Sequence, residues 1–143
     1  MTPAYAAFID KDKGEFAMPL TQIWMRCGKP LAFRRSVMEQ IYQAMRETFD
    51  VPEDDRFMTV MELDGDNFDF GRSYLGIERS DDFMIIRITA NNTRSVDQKK
   101  ALYARIAGRL AENVGVRPED VFISLVEVPK ENWSFGLGVA QYA

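Results

Sequence analysis

The sequence of 143 residues contains no histidine. Histidine is the usual general acid or base near neutral pH, the usual activator of a serine or cysteine nucleophile, and the commonest zinc ligand. Its absence excludes the catalytic and metal sites that depend on an imidazole. Any catalysis must therefore use carboxylates, arginine, lysine, tyrosine or an unusual amine, and we expect neither a metal nor a cofactor.

Cysteine is scarce, and long apolar runs and excess positive charge are missing. Cys27 is the only cysteine, so the chain forms no internal disulfide and suits a reducing, cytoplasmic compartment. The apolar runs are a few residues long, whereas a membrane-spanning helix needs about 20. With 18 basic and 22 acidic residues, the net charge argues against a nucleic-acid binder, because phosphate contacts need a cationic face; a local basic pocket is still compatible with this charge.

An internal repeat is the most informative pattern that is present. Residues 51–63 match residues 116–128 almost position by position, with Phe57 lying 65 positions before Phe122. Because the same offset of 65 positions holds along the whole matching segment, the pattern predicts a duplication. The expected parts are an N-terminal extension at 1–18, repeat one at 19–63, a linker at 64–82, repeat two at 83–128 and a tail at 129–143.

Each copy has the pattern of strand, helix and strand. The apolar, β-prone segments are 20–25 and 56–63 in the first copy, and 83–89 and 121–128 in the second. Between the strands of the second copy, Ser95 and Gln98 match a capping box at a helix start. Apolar side chains then recur every fourth residue, as Leu102, Ile106 and Leu110.

This order of elements predicts an α/β (α+β) fold. Two strands joined by such a helix should be parallel, with a right-handed crossover. Two tandem β-α-β repeats then form a four-stranded, mainly parallel sheet with both helices on one face. Because the strands are apolar on both sides, the other face needs cover, most simply from another subunit. We therefore expect a homo-oligomer.

Two cations occupy equivalent positions in the two copies. Lys29 and Arg94 each follow the first strand of a repeat, 65 positions apart. The carboxyl ends of parallel strands open onto the crevice where ligands usually bind. An arginine there can hold a carboxylate through two parallel hydrogen bonds. We treat both as candidate substrate-binding residues; the alternative is that they are ordinary surface cations near helix starts.

The tail contains a second candidate feature. Trp133 and Phe135 stand next to Gly136 and Gly138, an arrangement that can form an apolar wall beside a tight turn. The two glycines do not make a nucleotide-binding motif, since a third glycine and a following helix are missing. The alternative is a tail that simply packs on the core.

Four motifs, in this order and spacing, resemble the tautomerase superfamily. They are PLTQI at 19–23, VPEDDRF at 51–57, TRSVDQK at 93–99 and NWSFG at 132–136. The resemblance covers residues 19–142 and is nearest to the long, fused-repeat branch that includes malonate semialdehyde decarboxylase. It implies duplicated β-α-β units assembled as trimers or hexamers. For a chain that carries two repeats, we expect a homotrimer.

The resemblance also implies roles for individual residues. Pro19 matches the amino-terminal proline whose secondary amine acts as general acid or base. Arg94 matches the arginine that binds the substrate carboxylate, and Asp55 matches the aspartate that works beside the proline in the decarboxylase. Trp133 and Phe135 match the apolar pocket wall of that enzyme.

The function that we predict is an isomerase that moves a proton in a small, carboxylate-bearing 2-oxo acid. A decarboxylase or hydratase of a small 3-oxo acid is the main alternative. The second arginine of the decarboxylase corresponds here to Asn92, which weakens that alternative but keeps Asn92 among the candidate substrate-binding residues.

Pro19 is not the first residue of the sequence, and this bears directly on the expected chemistry. The nitrogen of an internal proline is a tertiary amide, with neither a basic lone pair nor a proton to give. Either Met18 is the true initiator, whose removal exposes Pro19, or the extension is genuine and the site is disabled. In the second case the chain is an oligomeric binding module without catalysis.

Overall fold

The structure, a computed structural model, describes residues 19–143; the expected extension at 1–18 lies outside the described residues. The elements are β1 (Leu20–Arg26), α1 (Leu31–Phe49), β2 (Phe57–Leu63), β3 (Ser73–Tyr74), β4 (Ile77–Glu78), β5 (Met84–Asn91), α2 (Val96–Val114) and β6 (Val121–Val128). The long strands form one sheet in the order β2-β1-β5-β6. β1 and β2 are parallel, β5 and β6 are parallel, and β1 meets β5 antiparallel in the centre.

The predicted duplication is confirmed by the element boundaries. Both helices have 19 residues, and their first residues, Leu31 and Val96, are 65 positions apart. The two β-α-β units, the mainly parallel sheet and the placement of both helices on one face all agree with the prediction. β3 and β4 form a small separate hairpin within the linker.

The core lies between the sheet and the two helices. Alternate residues of β1 and β5 point into it, and every fourth residue of α2 fills it from the other side. Leu102, Ile106 and Leu110 are fully buried, as their spacing predicts. The predicted capping box is also present, because Ser95 accepts from the Gln98 backbone while the Gln98 side chain accepts from the Ser95 backbone. No helix of residues 19–143 is both long and apolar enough to cross a membrane.

The opposite face of the sheet is not covered by any described helix. It carries the residues that alternate with the buried ones, among them Trp24, which stacks against Arg87 at 5.3 Å. Phe57 and Phe122 are 49% and 46% exposed on this face. Large apolar side chains on an open sheet face are typical of a surface that another chain covers.

Candidate active site

One edge of the sheet gathers most of the predicted site residues. β1 and β2 both begin at this edge because they are parallel, whereas β5 and β6 run the other way and end there. Leu20 accordingly pairs with Phe57 on one side and with Thr89 on the other. Pro19, directly before β1, therefore lies level with the turn before β2 and with the end of β5.

Pro19 is buried and lines an apolar pocket of about 260 Å³. The other lining residues are Leu20, Phe57, Trp133, Ser134 and Phe135. The structure thus brings together three residues that the motifs singled out, namely Pro19, Trp133 and Phe135. It adds Phe57, which lies inside a recognised motif but received no role from the sequence.

The tail forms the aromatic wall of this pocket. The Trp133 and Phe135 rings stack with their centroids 5.8 Å apart and their planes 15° from parallel. Tyr142 contacts Phe135 edge-on at 5.4 Å. The tail therefore folds back on itself around Phe135, and its aromatic side chains face the start of β1.

Asn91 holds this wall to the sheet. The Trp133 indole N–H donates a hydrogen bond of 2.7 Å to the Asn91 side-chain oxygen, and Asn91 is only 2% exposed. The sequence pointed instead to Asn92, which is exposed one position beyond the strand and whose backbone N–H donates to Val128. The alternation of β5 does not predict this burial, because Asn91 follows the buried Ala90 on the other face of the strand. Asn91 is buried where the tail contacts it through Trp133.

Asp55 lies in the turn that leads from α1 to β2 and is 7% exposed. Its neighbour Asp54 adopts a left-handed backbone conformation (φ 69°) and donates its N–H to the Tyr42 hydroxyl. Burial raises the pKa of Tyr142, and the nearby Asp55 carboxylate raises that pKa further. Asp55 is therefore near enough to Tyr142 of the tail for its charge to act on the hydroxyl.

Arg94 lies at the same edge, in the loop between β5 and α2. Its guanidinium donates to the Phe49 carbonyl at 2.9 Å and to the Thr93 hydroxyl at 3.2 Å, and it lies 4.8 Å from the centre of the Phe49 ring. Because Phe49 ends α1, the arginine sits at the negative end of the helix dipole. These contacts fix the direction of Arg94, which is not among the residues lining the Pro19 pocket.

Lys29 lies at the opposite edge of the sheet. It follows β1, whereas Arg94 follows β5, and these two strands are antiparallel. Lys29 pairs with Asp82 at 2.8 Å and lies 5.0 Å from the Phe33 ring. Within one chain, Lys29 and Arg94 therefore lie at opposite edges of the sheet, because the repeats are related by a reversal of direction.

Acidic side chains of the linker are used in ion pairs. Asp81 pairs with both Arg26 and Arg72, at 3.0 and 2.7 Å. Within residues 19–143, no group of three or more carboxylate or thiol side chains is placed to hold a metal ion.

Comparison with known proteins identifies the family. A family model described as Tautomerase enzyme matches residues 55–136. Probable tautomerase YusQ of Bacillus subtilis (strain 168) is 41% identical over 124 residues, which cover 87% of this chain and 98% of YusQ. Probable tautomerase YrdN of the same organism is 29% identical over 125 residues, covering 87% and 96%.

Solved structures agree with this assignment. A malonate semialdehyde decarboxylase is 30% identical with a TM-score of 0.81, covering 86% of this chain and 95% of its own. A fused 4-OT that forms an asymmetric trimer shares the fold at 19% identity, with a TM-score of 0.68 and coverage of 83% and 92%. This chain therefore belongs to the tautomerase family.

Proposed function

We propose that the protein catalyses keto–enol proton transfer in a small, carboxylate-bearing 2-oxo acid, with the Pro19 nitrogen as general base and acid. Membership of the tautomerase family supports a tautomerase-type enzyme. The observation that carries the specific reaction is the position of Pro19, buried in the wall of an apolar pocket that Trp133 and Phe135 complete. An apolar pocket of this kind favours a neutral amine.

The proton transfer follows from the properties of a secondary amine. An α-amino group titrates near pH 8, and an apolar surrounding lowers the pKa because it disfavours the charged form. A neutral Pro19 nitrogen takes a proton from the carbon next to the substrate carbonyl, which leaves an enolate. The resulting ammonium returns a proton to the enolate oxygen and forms the enol. The reverse sequence converts the enol into the ketone.

Arg94 is the proposed partner of the substrate carboxylate. It lies at the same sheet edge as Pro19, and its hydrogen bond to the Phe49 carbonyl orients the guanidinium before a substrate arrives. A pre-oriented guanidinium loses less entropy on binding than a flexible cation does. The apolar part of the substrate then lies against the Trp133 and Phe135 rings.

This reaction requires a free amine on Pro19. The proposed active form therefore begins at Pro19, after removal of Met18.

The test compares three proteins: one that begins at Pro19, one that retains Met18 before it, and one that begins with Ala in place of Pro19. The readout is the loss of enol absorbance as an aryl or dicarboxylic enol pyruvate ketonises. We expect a rate above buffer for the first protein, and a rate lower by at least about 100-fold for the other two, because general acid–base groups contribute 10²–10⁴-fold. No rate above buffer with several enol pyruvates contradicts the proposal. If the first protein assembles but stays inactive, the chain is a binding module instead.

Decarboxylation or hydration of a 3-oxo acid is the second candidate. Two malonate semialdehyde decarboxylase structures are 30% and 31% identical to this chain, each with a TM-score of 0.81, and Asp55 is buried beside the tail. Asp55→Asn in the protein that begins at Pro19 separates the two reactions. Tautomerisation should keep most of its rate, because the amine is unchanged. Hydration or decarboxylation, where Asp55 steers water or the departing carboxylate, should fall by at least about 100-fold.

A further inference from the structure

The repeat extends beyond the two β-α-β units into the segments that follow β2 and β6. Short 3-10 turns occur at Gly65–Asn67 and Lys130–Asn132, again 65 positions apart. The same offset relates the aromatic residues of the Pro19 pocket to aromatic residues at the opposite sheet edge. The pairs are Phe57 with Phe122, Trp133 with Phe68, and Phe135 with Phe70. Each aromatic residue that lines the pocket therefore has an aromatic counterpart.

These counterparts surround the ring of Phe83. The Phe83 centroid lies 4.4 Å from that of Phe70 and 5.7 Å from that of Phe68, both in stacked orientation. Phe122 contacts the same ring edge-on at 6.0 Å. Phe83 is 3% exposed. The Phe83 side chain thus occupies the space between Phe68, Phe70 and Phe122.

The backbone position of Phe83 fits this relationship. Met84, the next residue, is the repeat counterpart of Pro19 at the offset of 65. Met84 is the first residue of β5, and Pro19 directly precedes β1. The Pro19 pocket keeps a volume of about 260 Å³. At the opposite edge, the ring of Phe83 takes the equivalent space.

The polar side of the second location is occupied as well. Lys29 is the counterpart of Arg94, and Arg26 is the counterpart of Asn91. The two residues directly before Phe83 neutralise both cations, since Asp82 pairs with Lys29 at 2.8 Å and Asp81 pairs with Arg26 at 3.0 Å. Residues 81–83 therefore offer carboxylates to the cations and a ring to the aromatic walls, as a bound aromatic acid would.

We propose that residues 81–83 fill a second, latent binding site that the internal repeat relates to the Pro19 pocket. A small aromatic carboxylate takes their place when the Asp82 carboxylate and the Phe83 ring are removed. The ligand class follows from the two groups that it replaces, a carboxylate on Lys29 and a planar ring between Phe68, Phe70 and Phe122. This site needs no free amine on Pro19 and stands independently of the proposed reaction.

The test uses the full chain and counts bound phenylacetate by calorimetric titration. The double variant Asp82→Ala/Phe83→Ala should bind one equivalent more than the wild type, because an emptied aromatic cavity accepts a ring of the size removed. Asp82→Ala alone is the matched control, and it should bind no additional equivalent since the Phe83 ring remains in place. An unchanged number of equivalents in the double variant contradicts the proposal.

The role of Lys29 is tested with phenylacetamide, the neutral analogue of phenylacetate. The double variant should bind the acid about tenfold or more tightly than the amide, and adding Lys29→Ala should abolish this preference, as expected for a charge-assisted contact. Equal affinity for acid and amide with Lys29 present contradicts the assigned ligand class. If the double variant does not fold alone, phenylacetate added during refolding should restore the folded state; failure to restore it also contradicts the proposal.

Discussion

At the scale of the residue, two carboxylates in equivalent repeat positions have acquired different surroundings. Asp120 lies 65 positions after Asp55 and is fully buried. It accepts hydrogen bonds from the Ser80 backbone N–H at 2.7 Å and from the Ser80 hydroxyl at 2.6 Å, which ties the linker to the turn before β6. Asp55 instead lies near the tail, where its charge acts on Tyr142. Asp120 thus has a structural explanation, and Asp55 retains a location suited to chemistry.

The prediction at the scale of the residue concerns Arg94. Arg94→Ala in the protein that begins at Pro19 should lower kcat/KM for a carboxylate substrate by about 10- to 150-fold, since a charge-assisted, bidentate contact is worth about 1.5–3 kcal/mol. Esterifying the substrate carboxylate should lower kcat/KM of the wild type by a similar factor and that of the variant only slightly. The measurement is a two-by-two comparison of enzyme and substrate.

Lys29→Ala is the matched control for this comparison, because Lys29 is the repeat counterpart of Arg94 at the opposite edge of the sheet. It should leave the discrimination between acid and ester unchanged. Arg94→Ala also removes the hydrogen bond to the Phe49 carbonyl, so some loss of stability is expected. If Arg94→Ala and esterification of the substrate lower kcat/KM independently of each other, Arg94 has only this structural role.

At the scale of the element, a cluster of charged side chains joins the two helices. Glu47 on α1 accepts hydrogen bonds from Arg105 and Arg109 on α2, and these bonds lower the pKa of Glu47 from 4.5 to about 2. Arg109 also donates to Gln40 at 2.9 Å. The outer surface of the helix pair is thus held by polar contacts, while the inner surface is apolar.

Glu47 gives a prediction on pH dependence. Because its pKa is lower in the folded state, the stabilisation is complete above pH 4.5 and is lost as the pH falls towards 2. The carboxylate is 37% exposed, so solvent screening limits the effect to roughly 1 kcal/mol or less. Denaturant unfolding at several pH values should show Glu47→Gln less stable than the wild type at pH 6, with the difference shrinking below pH 4.

Glu78→Gln, at an exposed position of β4 outside the two helices, serves as the control in that experiment. It should track the wild type at every pH. If Glu47→Gln is less stable than the wild type by the same amount at pH 2 as at pH 6, the loss of stability comes from packing and not from the ion pairs.

The elements themselves were largely predictable, whereas their relative direction was not. The capping box at Ser95 and the four-residue spacing from Leu102 are local signals, and the repeat supplied the same order twice. The antiparallel pairing of β1 with β5 is a long-range contact that no local pattern encodes. That pairing separates Lys29 from Arg94. The hydrogen bond between Trp133 and Asn91 is also a long-range contact, between residues 42 positions apart.

At the scale of the whole molecule, we expect a homotrimer. The uncovered sheet face carries apolar side chains such as Ile85 and Phe122, and an apolar face of this kind is typical of a surface that another chain covers. Light scattering at micromolar concentration should give three times the mass of the chain. Ile85→Lys, which places a charge in the centre of this face, should dissociate the trimer because an unpaired buried charge is strongly unfavourable.

Leu31→Lys is the control for that substitution. Leu31 is 51% exposed at the start of α1, away from the open sheet face, and its replacement should leave the trimer intact. A monomeric wild type, or an Ile85→Lys variant that remains trimeric, would contradict assembly through this face.

The proposed reaction depends on the Pro19 nitrogen being, once free, a neutral base in an apolar pocket. Its most direct test is an NMR titration of the ¹⁵N-labelled Pro19 nitrogen in the protein that begins at this residue. We expect a pKa below the value near 8 of an ordinary α-amine, and the same pKa in the acidic limb of the pH dependence of kcat/KM. A pKa at or above that ordinary value, or a pH dependence that does not follow it, would contradict the claim.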